Sequence, residues 1–180
     1  MKKILISIIL AVFSVTALAQ DKTEKIEGAF GLKLGDTFDI KTLGAKAIPS
    51  SGGSLMYNFT PTNPMRSFTR YGVVLTPKTH RIAGITAMGD YDDKAGAQKE
   101  QAVVLALLTK KYGAQDKAQI EDQLDSNKRI VQGKRMIMMF IDAGVNKARL
   151  TISYADETLF NLAEKERIEL ESRKLDSSGL

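Results

Sequence analysis

The chain has 180 residues, 43% of them apolar, with 26 basic and 21 acidic side chains, one histidine and no cysteine. That apolar share belongs to a folding domain rather than a disordered segment, and the length is that of one domain. The missing cysteine excludes disulfides, thiolate metal sites and thiol nucleophiles, and the mild, dispersed positive charge lacks the clustered basic stripe of a nucleic-acid binder.

Lys2 and Lys3, an apolar run from Ile4 to Val15 broken by Ser7 and Ser14, and Ala17-Leu18-Ala19 follow one another as the three parts of a secretory signal peptide. Cleavage is expected between Ala19 and Gln20, which removes residues 1–19 and, with Lys2 and Lys3 gone, lowers the formal charge of +5 to +3. The apolar run is shorter than the roughly 20 residues that a spanning helix needs. Without cysteine there is no acceptor for a lipid anchor either. The expectation is a periplasmic protein with no membrane anchor in its mature form.

Residues 20–27 are polar and aperiodic and read as a flexible leader; a single α+β domain is expected over 28–175 and a disordered tail over 176–180. Gly28 to Asp36 alternates glycine with apolar residues, and Asp36 or Thr37 is placed to cap a short helix through Leu43. The glycines follow neither the dinucleotide fingerprint nor a phosphate-binding loop and read as tight turns. Pro49 to Gly53 is a loop. Leu55 to Phe59, Phe68 to Thr76 and Arg81 to Met88 alternate as strands, the last two joined by the turn Pro77-Lys78-Thr79-His80.

Asp92 or Asp93 caps a long helix from about Lys94 to Tyr112, with Val103, Leu107 and Leu108 on or near one face and Gly113 after its end. A second β-rich half follows: Gln119 to Leu124, Arg129 to Gln132, Lys134 to Asp142 and Lys147 to Tyr154. In the last of these, Ala148, Leu150, Ile152 and Tyr154 point one way and Arg149, Thr151 and Ser153 the other, as on a sheet with one wet face. The run Met136 to Phe140 reads as a core strand apolar on both faces. Asp156 opens a final helix to about Lys174, with an apolar stripe from Leu159, Leu162, Ala163 and Glu166, and Glu169 placed to pair with Arg173. The order is compatible with a duplicated helix-plus-three-strand unit.

Few residues carry recognisable chemistry. His80 sits in a turn without a carboxylate to orient it, and one imidazole with no thiolate does not make a zinc site. Asp90-Tyr91-Asp92-Asp93 lacks the calcium-loop spacing, and helix capping accounts for these acids. Asp142 could pair with Asp125 or Asp156 in a carboxylate-based hydrolase. No cofactor is expected. Tyr57, Arg66, Phe68, Arg70 and Tyr71 are of the types enriched at protein interfaces, and they are the candidate partner-binding residues.

The signal peptide, Gly31-Leu32-Lys33-Leu34-Gly35-Asp36, a three-strand meander, a long helix ending Lys111-Tyr112-Gly113 and a second meander together resemble small secreted bacterial proteins of the β-lactamase-inhibitor-protein-like kind. The small lipoprotein of the outer-membrane β-barrel assembly machine has a related single unit. The resemblance implies a non-catalytic module that binds other proteins. It transfers no site residue, because this chain lacks the lipidated cysteine of the one and the disulfides of the other. The expected function is thus an inhibitor, immunity factor or envelope-assembly accessory that contacts a protein partner through one sheet face; a small-ligand carrier and a hydrolase are the alternatives.

Overall fold

A computed structural model describes residues 23–43, 48–49, 55–113 and 127–177. The expected signal peptide, the expected strand at Gln119 to Leu124, Asp125, and residues 178–180 of the tail lie outside the described residues. The fold is α+β. Seven antiparallel strands, β3 (Ile48–Pro49), β4 (Leu55–Asn58), β5 (Arg70–Leu75), β6 (Ile82–Tyr91), β7 (Lys128–Gln132), β8 (Arg135–Ala143) and β9 (Ala148–Asp156), form one sheet in the order β3-β4-β5-β6-β9-β8-β7. A two-stranded hairpin, β1 (Gly28–Ala29) with β2 (Leu32–Lys33), lies apart from it. Helix α1 spans Lys94–Tyr112 and α2 spans Glu157–Ser177.

Alternation along the strands gives the sheet two different faces. One carries Tyr71, Val73 and Leu75 of β5, Ile85 and Ala87 of β6, Ile137 and Met139 of β8, and Leu150, Ile152 and Tyr154 of β9, all buried. Helix α1 covers this face, packing on β6, β8 and β9. Its buried positions are Ala97, Gln101, Val104, Leu108 and Tyr112, the i, i+3, i+4 spacing of one stripe. Asp93 caps it by accepting from Gly96 N–H at 2.7 Å, and Gly113 N–H returns to the Thr109 carbonyl. Of the three residues expected on or near one face, Leu108 is buried, whereas Val103 and Leu107 are 50% and 55% exposed. Apolar residues come in adjacent pairs there, so two stripes about 100° apart were available, and the sheet took the one through Val104 and Leu108.

The N-terminal stretch is more ordered than its composition implies. Ile26 is 1% exposed. The Gln132 side chain accepts from Ile26 N–H at 2.8 Å and donates to the carbonyls of Glu24 and Tyr112, each at 3.0 Å. Arg135 reaches the Ile26 carbonyl, and Glu24 N–H bonds to the Lys111 carbonyl. The part of the supposed leader from Thr23 on is therefore tied across the β7–β8 turn and the end of α1. Next, Phe30 (φ 56°) and Gly31 (φ 91°) close the β1–β2 hairpin in the left-handed region. A side chain at Gly31 would collide with Thr62. Phe30 accepts this backbone geometry while its ring packs edge-on against Phe68, Tyr71 and Tyr154.

The expected helix after Asp36 is corrected to a single 3-10 turn, Ile40–Leu43. Backbone groups of Gly35, Asp36 and Phe38 are bonded to Ile82 and His80, and Thr37 bridges Arg81, so these residues extend alongside the start of β6. The two meanders meet edge to edge at β6 and β9. They are not equivalent halves, because their helices lie on opposite sides. Phe160 of α2 sits over Gly84, whose neighbours in register, Val74 and Ala155, belong to the other face.

Candidate functional site

The second face of the sheet is only partly covered by the described residues. Register sets its residues in rows across the strands. The first row is Met56, Val74, Gly84, Ala155, Met136 and Val131; the second is Asn58, Gly72, Thr86, Ser153, Met138 and Arg129. Arg70, Met88, Thr151 and Phe140 make the third, and Asp90, Arg149 and Asp142 the last.

Helix α2 packs on this side over β6 and β9, with Phe160 over Gly84 of the first row. It starts where β9 ends, with Asp156 accepting from Leu159 N–H at 3.2 Å and from Arg135 Nε at 3.1 Å. Phe160 then fills the space above Gly84, where any Cβ would meet its ring at 3.1 Å. The helix leaves along the turn between β5 and β6, held by Glu166, which accepts from the N–H groups of Lys78 and Thr79 and from Thr79 Oγ1. Beyond Phe160 the rows are partly open among the described residues, although Thr151 in the third row is buried. Met88, Met136 and Met138 are half-buried, and Phe140 is 40% exposed. Met136 to Phe140 is thus not core on both faces: Ile137 and Met139 are in the core, and the three residues between and after them line the open side.

Thr86 and Ser153 hydroxyls lie 3.3 Å apart in the middle of this face. At its far end Asp90 bridges two guanidiniums, accepting from Arg70 Nη2 at 2.8 and 2.9 Å and from Arg149 Nε at 2.8 Å. The Arg149 hydrogen bond, with both arginine charges, holds the Asp90 carboxyl below its usual range against the opposing effect of desolvation. The face is therefore an apolar patch of methionine and phenylalanine around a hydroxyl strip, closed at one end by α2 and at the other by a charged row.

The five residues named from the sequence divide. Tyr57, Phe68 and Tyr71 are buried, with Tyr71 and Phe68 packed around Phe30. Arg66 is exposed on the 59–69 loop, and Arg70 stands on the open face. Tyr71 shapes this corner: its hydroxyl accepts from Met65 N–H at 3.0 Å and donates toward the carbonyls of Met65 and Phe68. Phe59, Pro61, Pro64, Phe68, Arg70 and Tyr71 line a shallow depression of about 480 Å³ there, continuous with the open face through Arg70. The open-face methionines and Phe140 were missed from the sequence. Period-2 alternation of Met136, Met138 and Phe140 against Ile137 and Met139 was the available signal.

The other candidates are dispersed. Asp142 lies at the charged end of the open face, whereas Asp156 is at the opposite end of the same β8–β9 pair, about 23 Å away at the rise of a strand. His80 occupies the turn with φ 50°, its N–H bonded to the Thr76 carbonyl. Among the described residues no helix is long and apolar enough to cross a membrane. Comparisons with protein-family models, curated proteins and solved structures return no match.

Proposed function

We propose that the protein is exported, cleaved after Ala19 and released into the periplasm, where it acts as a non-catalytic module that binds a protein partner through the open face of its sheet. The partner surface that fits has an apolar centre, to cover Met88, Met136, Met138 and Phe140, and polar or charged groups at its edge to meet Arg70, Arg149 and Asp142. The observation that carries this reading is that apolar patch itself: a sheet face with four methionines and an exposed phenylalanine, and, among the described residues, no helix over it beyond Phe160. Unbranched, polarisable methionine adapts to a partner's shape, which suits a contact surface.

Affinity capture from the periplasm with the native protein and with Phe140→Asp tests it. Retention of a protein partner by the native chain, and loss of at least about tenfold in affinity in Phe140→Asp, is expected for a central contact. Arg66→Ala with Arg70→Ala should weaken binding less, as rim charges do. A native protein that captures nothing and stays monomeric, with no phenotype from either variant, would sink the reading.

A further inference from the structure

We propose that the open face is also a modification site: Met88, Met136 and Met138 are oxidised to sulfoxides, reversibly, and the change turns the face from apolar to polar. The inference rests on reading that face as the docking surface. Of seven methionines in the chain, four (Met56, Met88, Met136 and Met138) stand on this one side of the sheet. All four are partly exposed; Met56 lies against the Gly72 backbone, and Met88, Met136 and Met138 flank the hydroxyl strip. Met139, between two of the open-face residues in the register, points the other way and is 1% exposed. It serves as an internal control.

The chain has no cysteine, so no thiol competes for an oxidant and its thioethers are its sulfur centres, these three among the partly exposed ones. With hydrogen peroxide, the sulfur lone pair attacks one oxygen, an S–O bond forms as the O–O bond breaks, the sulfur is oxidised by two electrons, and the other oxygen takes up the proton and leaves as water; a dithiol reductant reverses the step, giving back the thioether with a disulfide and water. The surroundings accommodate the product. Ser153 stands beside Met138 and Thr151 beside Met88, so hydroxyl donors adjoin the positions where sulfoxide oxygens would form. A sulfoxide at Met139 would have to be buried among Ile137, Ile152 and their neighbours.

Titration of the purified protein with hydrogen peroxide, peptide mass mapping and binding of the apolar dye anilinonaphthalene sulfonate test this together. Met88, Met136 and Met138 should gain oxygen at least about tenfold faster than Met139. Dye binding should fall several-fold as they do, and methionine sulfoxide reductases should restore it. Met136→Leu with Met138→Leu should keep dye binding and lose most of its oxidant sensitivity. Oxidation of Met139 at the same rate overturns the proposal, and so does dye binding that is unchanged once the face is oxidised. A reduced protein that binds no dye, while sulfoxides still form in this order, overturns the docking reading and leaves the modification site supported.

Discussion

Glu166 shows how a single polar group acts in this fold. It is 6% exposed, and burial alone would push its carboxyl up. Hydrogen bonds from Lys78 and Thr79, with the Lys78 charge, outweigh that and hold it below its ordinary value of 4.5. A depressed folded-state pKa means that the group stabilises the fold above about pH 4.5 and that its contribution is lost as pH falls through the folded value. Glu166→Gln should cost about 1–3 kcal/mol near neutral pH. Melting temperatures of the two proteins should converge on acidification; a constant difference across the range would contradict the role. Tyr71 is the second case. Tyr71→Phe keeps the ring packed on Phe30 but strands the Met65 N–H, so it should cost about 1–2 kcal/mol by denaturant unfolding and increase protease cutting in the 59–69 loop.

At the scale of elements, what was legible in the sequence follows the strength of the local pattern. The strand Ala148–Asp156 alternates apolar and polar residues from Ala148 to Tyr154, and its core face was readable from the start; the expectation of a wet second face is corrected, since Thr151, Ala155 and Asp156 are buried and only Arg149 and Ser153 are partly exposed. The helix Lys94–Tyr112 was bounded by Asp93 and Gly113, and its ends were readable for the same reason. Its buried stripe was not, because Val103, Val104, Leu107 and Leu108 offer two faces and only the sheet decides between them. Unfolding of single variants checks that choice. Val104→Ala and Leu108→Ala should each cost about 1–4 kcal/mol, whereas Leu107→Lys should stay within about 0.5 kcal/mol. The segment from Thr23 to Glu27 was misread for a related reason. Its hold comes from Gln132 and Arg135, more than a hundred residues away, and from one isoleucine, none of which leaves a periodic trace. Ile26→Ala should cost about 2–5 kcal/mol, more than a leader residue could.

The whole molecule is asymmetric about its sheet. Two meanders joined at β6 and β9 make a surface wide enough to need covering on both sides, yet α1 lies over β6 to β9 on one side, where Phe30 packs on Tyr71 of β5, while α2 packs on β6 and β9 alone on the other. Part of that imbalance was readable from the sequence, where residues 164–174 of the final helix are mostly charged and expected to project into solvent; which face each helix takes was not. Of the five contact residues named from the sequence, Arg66 and Arg70 are on the surface, while Tyr57, Phe68 and Tyr71 serve the core. Contact-prone residue types are also core-prone types, and composition cannot separate the two roles. The most direct measurement of the docking reading is crosslinking in the periplasm, with a photo-reactive phenylalanine analogue at position 140 or 138 and, as control, at Thr158 on the exposed side of α2. The expected result is a discrete crosslinked protein from positions 140 and 138 and none from 158. No product from the open face, or the same products from all three positions, would contradict it.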